Sequence, residues 1–453
     1  MKKKYQFFSL CAALFLLLCS CSKSDYTKAL PTASTALMYV DVSKTGGVGN
    51  SDLLRLLLPS DSIGDCGLDF SQKIYLFELP DGQSGACIRV SDADQVGETL
   101  KKLEEKDHCK GFVHEGGGVK TAILRDSWVV AYDDDAFLML FSVAATDVQQ
   151  AKSRLARYLR QDGGRSEKFT RLFQKLNTMK SSAAAVGRGQ TLLKTTDFDL
   201  PKNIDAKQVQ DAVVITVEDN VAYARIQRFS FDEKVEKALK EHESVLRPIQ
   251  GRYAQMLPSD NFFNIIFNTD GEKFLSEIQD MDFFKPLLAS ANAALDVNNI
   301  IKSIDGEVVI SYFGDIVSLN GSQFSLIAEL SHSQWLKDVG YWKTSCPKGS
   351  EIKDWGKDSY CYINGKELFY FGVVSEQKNA SSQQFYCGNT PEVADSPLQS
   401  VAKPISGEIT ERLKGNRFAL VMNLNSGTLF GESSRALFKT FATEANALVY
   451  ILE

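Results

Sequence analysis

The sequence predicts an α+β protein: antiparallel sheets with helices packed on one face, arranged as two similar modules that arose by internal duplication. Three observations carry this. Short runs of β-branched and aromatic residues alternate with turn residues, amphipathic stretches of helical period interrupt them, and the order of runs starts again near residue 257.

In the first module Leu30-Pro31 leads into a strand over 36–42. Residues 51–58 read as a short helix stopped by Pro59. KIYLFEL (73–79) and residues 86–90 are strands joined by Pro80-Asp81-Gly82, where glycine permits a positive φ. Ser91 is placed to cap a helix running to about Lys106, with Val96, Leu100 and Leu103 on one stripe. Residues 111–115, 120–124, 127–132 and 136–141 then form a meander, and Gly116-Gly117-Gly118 a flexible turn. Two amphipathic helices follow. Thr146 caps the first, and Phe169, Leu172, Phe173 and Leu176 mark the second. Strands at 183–187, 211–218 and 221–229 and a charged helix from Asp232 to about Leu246 complete the module.

The pattern then repeats. Leu257-Pro258-Ser259 with 262–267 mirrors Leu30-Pro31-Thr32 with 37–42, and 306–313 and 323–330 stand for the KIYLFEL strand and its partner. Leu330-Ser331 with Leu336 matches Val90-Ser91 with Val96 at the same offset. Strands at 360–363 and 368–374 resume a meander. Residues 418–424 with Gly427-Thr428-Leu429 echo 183–187 with Gln190-Thr191-Leu192, and ALVYIL (447–452) echoes AVVITV (212–217). No counterpart of 221–229 follows. The expected organisation is a signal over 1–20, a lipidated tether over 21–29, module one over 30–256 and module two over 257–453.

The address is written at the N-terminus. Lys2-Lys3-Lys4 and an apolar run over 7–18 have the layout of a secretory signal, too short for a comfortable membrane span. Leu18-Cys19-Ser20-Cys21 places a small residue before the cysteine of a lipobox, and Ser22-Lys23-Ser24-Asp25 supplies a polar tether. Cys21 is therefore the expected lipidation site, an anchor of fatty acyl chains such as palmitate; the competing reading is an ordinary signal peptide with incidental cysteines, or an uncleaved anchor. Each buried methylene of such a chain contributes about 0.8 kcal/mol to membrane binding. Ser22 leaves out the Asp that retains lipoproteins at an inner membrane, so an outer-membrane envelope location is expected, with periplasmic or surface face open.

Composition narrows the partners. An apolar fraction of 44% with 24% charged residues is that of an ordinary water-soluble fold. The formal charge of −6 counts three lysines that leave with the signal, so the mature chain is near −9, which argues against nucleic acid and against an anionic lipid surface. Six cysteines remain in the mature body: Cys66, Cys87, Cys109, Cys346, Cys361 and Cys387. In an oxidising compartment they allow one disulfide in each group of three, Cys66 or Cys87 with Cys109 and Cys361 with Cys346 or Cys387; six buried thiols are the alternative.

Chemistry-bearing motifs are sparse. His108-Cys109 with His114 and Cys87 form at most a weak zinc set, and the bland reading is a loop with solvated imidazoles. Asp133-Asp134-Asp135 between two apolar strands reads as a hairpin tip rather than a calcium loop. Gly187-Arg188-Gly189-Gln190-Thr191 lacks the lysine of a phosphate loop, and no GxSxG elbow occurs. Trp335 and Trp342 share one helical face and are expected in the core, whereas Trp355, among charged residues, is the candidate surface contact.

The signal ending in Cys21, Leu30-Pro31 before ALMYVDV, Gly67-Leu68-Asp69 before KIYLFEL, and WVVAYDDDAFLML over 128–140 together resemble a lipoprotein family of gut Bacteroidales, domain of unknown function 4836. The resemblance implies an anchored envelope protein without an assigned activity, so no catalytic, cofactor or metal residue is carried over. The expected function is a non-catalytic binding or scaffolding body held to the membrane through Cys21, with an envelope protein or glycan as partner. The alternative is a glycan-binding or glycan-hydrolysing lipoprotein using Trp355 and scattered carboxylates.

Overall fold

The computed structural model describes residues 25–44, 57–58, 65–114, 117–160, 164–188, 200, 204–253, 256–279, 284–313, 323–376, 379–395, 403–424 and 445–452. Cys21 and the rest of the signal, most of 51–58, Gly116, and the repeat markers at 190–192 and 427–429 lie outside the described residues. Two compact units emerge, one within Met1–Ser43 and Leu54–Arg171, the other within Lys44–Leu53 and Leu172–Glu453.

The first unit holds β1 (Ala36–Val40), β2 (Ile74–Glu78), β3 (Ser84–Arg89), β4 (Cys109–His114), β5 (Lys120–Leu124), β6 (Trp128–Tyr132) and β7 (Ala136–Leu140). They lie side by side as β1-β2-β3-β7-β6-β5-β4, every pair antiparallel. Registers place Tyr39, Tyr75, Cys87, Leu138, Ala131 and Thr121 opposite one another on one face, and all six are buried. Such a row of large, small and β-branched side chains across six strands is the cross-strand unit from which a sheet core is built. Before β1, Tyr26–Ala29 form a 3-10 turn with Tyr26, Thr27 and Ala29 buried, so packing begins inside the stretch read as tether.

Helix α1 (Ala93–Glu105) links β3 to β4. Its cap is Asp92, whose carboxylate accepts from the N–H groups of Asp94 and Gln95, rather than Ser91. Ser91 is engaged elsewhere, since its N–H and Oγ–H both donate to the Gly67 carbonyl, at 2.9 and 3.0 Å. Gly67 has φ +80°, and a Cβ there would stand 2.4 Å from the Asp92 carbonyl oxygen, so only glycine fits. Helix α2 (Val148–Leu159) packs on β6 and β7 and follows a 3-10 turn at Ala145–Asp147, with Thr146 donating to the Asp147 side chain instead of capping. Helix α3 (Glu167–Thr178) buries Phe169, Leu172 and Leu176 as its period predicts.

The second unit contains β8 (Ala183–Gly187), β9 (Val209–Glu218), β10 (Val221–Ser230), β11 (Leu246–Arg247), β12 (Phe263–Asp270), β13 (Ile304–Phe313), β14 (Gln323–Leu330), β15 (Ser350–Gly356), β16 (Ser359–Asn364), β17 (Glu367–Glu376), β18 (Asn379–Gly388), β19 (Phe418–Asn423) and β20 (Ala447–Leu452). Neighbours run β8-β9-β10-β20-β19-β12-β13-β14-β18-β17-β16-β15, with β11 extending the edge of β12. All these contacts are antiparallel except β10 with β20. The helices are α4 (Glu233–Glu243), α5 (Gly271–Ile278), α6 (Phe284–Asn292), α7 (Val297–Lys302), α8 (Val339–Ser345), α9 (Pro391–Asp395) and α10 (Gly407–Leu413). The charged helix α4 stops at Glu243, earlier than its composition suggests, because Leu246-Arg247 pair with β12.

Two cores flank this sheet. Trp335, Trp342, Phe371 and Phe385 pack on one side; Ile409 and Leu413 of α10 cover Ile266, Val421 and Val449 on the other. Within the unit, β12 to β18 are ordered β12-β13-β14-β18-β17-β16-β15, the same sequence of connections as β1 to β7. Ser331 also repeats the role of Ser91, its N–H and Oγ–H donating to the Ser303 carbonyl at 2.8 and 3.1 Å. The chain is thus a mixed α and β protein with mostly antiparallel sheet.

Candidate functional site

In the first unit the β2–β3 turn, the exit of β7 and one side of α2 enclose a cleft of about 420 Å³, within the usual size range of small-molecule sites. Local sequence explains its shape. Asp81 accepts the Gln83 N–H through its side chain and Gly82 takes φ +81°, which closes the turn. Past β7, Phe141 N–H donates to Ser84 and Val143 N–H to Ser127, so the chain changes partners between them. Ser142 absorbs that change at φ +50°, a left-handed conformation that costs a non-glycine residue energy and is a recurrent mark of functional loops. Phe141, half-buried, meets Trp128 edge-on at 4.9 Å.

Arg154 of α2 is the central cation. Its Nη2 donates to Asp81 Oδ2 at 2.7 Å and its Nε to Tyr158 Oη at 3.0 Å. Desolvation, the largest single influence on Asp81, pushes its carboxyl up, but the hydrogen bonds from Arg154 and the Gln83 N–H with the guanidinium charge outweigh it and leave the carboxyl below its ordinary range. Gln83 donates to the carbonyls of Ser84 and Phe141 and so ties the turn to the β7 exit. Asp147 of the preceding 3-10 turn and Gln150 of α2 complete the rim.

The residues singled out in the sequence do not gather at this cleft. Cys21 lies outside the described residues. Trp355 is on β15, half-buried and edge-on to Tyr370 at 4.9 Å. Ser359 Oγ and Tyr386 Oη meet at 2.7 Å beside it, passing over Gly372, where a Cβ would lie 2.7 Å from Ser359 Oγ. Trp335 and Trp342 are buried and stacked at 5.9 Å. Asp133 closes the β6–β7 hairpin by accepting from the N–H groups of Asp135 and Ala136.

All six cysteines stand as free thiols, Cys346 half-buried and Cys66, Cys87, Cys109, Cys361 and Cys387 buried. The sheet explains why the bridges weighed above are not formed between strands. Cys87 on β3 and Cys109 on β4 are separated by β7, β6 and β5, about 19 Å of strand spacing; Cys361 on β16 and Cys387 on β18 are two spacings apart, about 10 Å, beyond disulfide reach. The same separation parts Cys87 from His108-Cys109. Among the described residues no cluster of three or more His, Cys, Asp or Glu could hold a metal ion.

Fold and cleft together define a mixed α and β protein of mostly antiparallel sheet with a polar, small-molecule-sized recess. The chain belongs to the DUF4836 family, a domain of unknown function, whose model matches residues 54–426. No curated protein matches it. Among solved structures, one described as "Structure of crystal form I of TP0453" is similar over 49% of this chain and 88% of that chain, at 10% identity and a TM-score of 0.30.

Proposed function

We propose that this chain is a lipid-anchored cell-envelope protein whose folded body, two modules descended from an internal duplication, serves as a non-catalytic binding or scaffolding element. The observation that carries the anchorage is Leu18-Cys19-Ser20-Cys21, closing a charged-then-apolar leader and followed by a polar stretch. Acyl chains on the Cys21 sulfur partition into the bilayer while the body stays in water. Among the described residues no helix is long and apolar enough to cross a membrane, so in this reading the lipid does the holding.

Duplication is supported by the shared strand order of β1–β7 and β12–β18 and by the twin Ser91–Gly67 and Ser331–Ser303 contacts. The flank of β20 is taken by β10, which pairs with β9 on its other side. The binding role is supported by the cleft, whose Asp81 and Arg154 neutralise each other and whose lining, among the described residues, contributes no histidine, cysteine or lysine. Metabolic labelling with an alkyne fatty acid tests the anchor. Label on the wild type that vanishes in Cys21→Ala supports it, and label that persists in Cys21→Ala contradicts it.

A further inference from the structure

We propose that the cleft between the β2–β3 turn and α2 binds an uncharged, hydroxyl-rich ligand, of which a sugar ring is the simplest representative. Its charge and chemistry lead there. Two carboxylates, Asp81 and Asp147, and one guanidinium, Arg154, line it, so the lining carries a net negative charge that disfavours anions. Its rim groups are carboxylate, guanidinium, carboxamide and hydroxyl, which disfavours a hydrocarbon ligand.

The remaining hydrogen-bonding capacity suits vicinal hydroxyls. Arg154 spends Nε on Tyr158 and Nη2 on Asp81, and its fixed fork keeps further N–H donors on a side chain 24% exposed. Asp81 and Asp147 offer acceptor oxygens, and Gln150 offers both a donor and an acceptor on one planar group. A hydroxyl is donor and acceptor at once, so adjacent hydroxyls answer such paired planar groups as neither phosphate nor alkyl chain can. The ring of Phe141, held edge-on by Trp128, supplies the flat apolar element on which C–H faces of a sugar rest. The Asp81–Arg154 pair, the Gln83 struts and the strained Ser142 hold this arrangement before any ligand arrives, which lowers the ordering cost of binding.

The inference rests on reading the body as a binding element and is separable from the anchor. A Cys21 that carries no lipid overturns the anchorage and leaves the ligand class untouched; a failed titration does the reverse. The experiment is calorimetric titration of the full-length protein, in a detergent without a sugar headgroup, with glucose, galactose, mannose, N-acetylglucosamine and their disaccharides, and with inorganic phosphate as the anionic probe. Saturable binding of at least one sugar is expected, about tenfold weaker in Gln150→Ala and in Asp81→Asn, with phosphate silent. Gln150 is exposed, so its variant keeps the fold and the test stands even where Asp81→Asn is destabilised. Absence of binding by every sugar, sugar binding unchanged in Gln150→Ala, or phosphate competing for the cleft each overturns the proposal.

Discussion

The carboxylate of Glu307, fully buried on β13, accepts the main-chain N–H of Gly251 at 2.6 Å. It also accepts from the N–H groups of Gln250 and Tyr253, while Glu329 receives the Glu307 N–H at 3.0 Å and pairs with Arg252. The stretch before β12 is thus fastened to the sheet by one satisfied buried charge. Glu307→Gln keeps the shape but turns one carboxylate oxygen into a neutral acceptor and the other into an NH2 donor set against a main-chain N–H, and the expected loss is about 2–4 kcal/mol of stability. Hydrogen exchange is the check: the amides of Gly251 and Tyr253 accelerate in the variant, whereas those of β16 do not.

Ser91 and Ser331 make the same double donation to the carbonyl of the residue that precedes a paired Leu68 or Ile304. Ser91→Ala and Ser331→Ala therefore cost similar amounts, about 1 kcal/mol each. Gly67→Ala costs more than either, because the new Cβ meets the Asp92 carbonyl and φ is +80°. Denaturant titration of the three variants checks the order. A serine pair differing severalfold would count against the common origin of the modules.

Buried thiols give a pH dependence with a definite sign. Burial pushes the Cys109 thiol up to about 11 and raises those of Cys87 and Cys387 as well. A group whose pKa is raised on folding contributes stability that is full below the unfolded thiol value, about 8.5, and is lost as pH rises through the folded value. Unfolding midpoints should be flat from pH 7 to 8 and fall between pH 9 and 11, less steeply in Cys109→Ala. Native-state alkylation at pH 8 should mark Cys346, the half-buried thiol, ahead of the other five.

Much of the fold is legible in local sequence. Strands β14 and β20 begin and end where their apolar runs do, and the meander β4–β7 follows its turn residues. The failures have physical causes. Strand β15 reads SEIKDWG, and its described pairing is with β16 alone, leaving a largely exposed, charged strand that carries little apolar signal. Strand β18 opens on polar Asn379-Ala380-Ser381-Ser382 and shows itself only at Phe385. Asp92 wins the cap of α1 because Ser91 is committed to Gly67. The cleft was invisible for another reason. Asp81, Phe141 and Arg154 come together only when β3 pairs with β7, and no spacing rule announces a left-handed serine.

Trp355 separates two uses of an aromatic. Packed edge-on against Tyr370, it contributes about 0.5–1.5 kcal/mol beyond its area. Trp355→Ala should lower the unfolding midpoint of the protein while leaving sugar affinity within twofold, as read by the same calorimetric titration. A variant of unchanged stability that loses glycan binding would move the binding site to β15.

The anchorage is tested most directly by mass spectrometry of the N-terminal peptide from membrane-extracted protein. The account predicts that the mature chain begins at Cys21 and carries the added mass of its acyl chains, in material that resists carbonate wash. An unmodified Cys21 thiol, on protein that the wash releases in full, would contradict it.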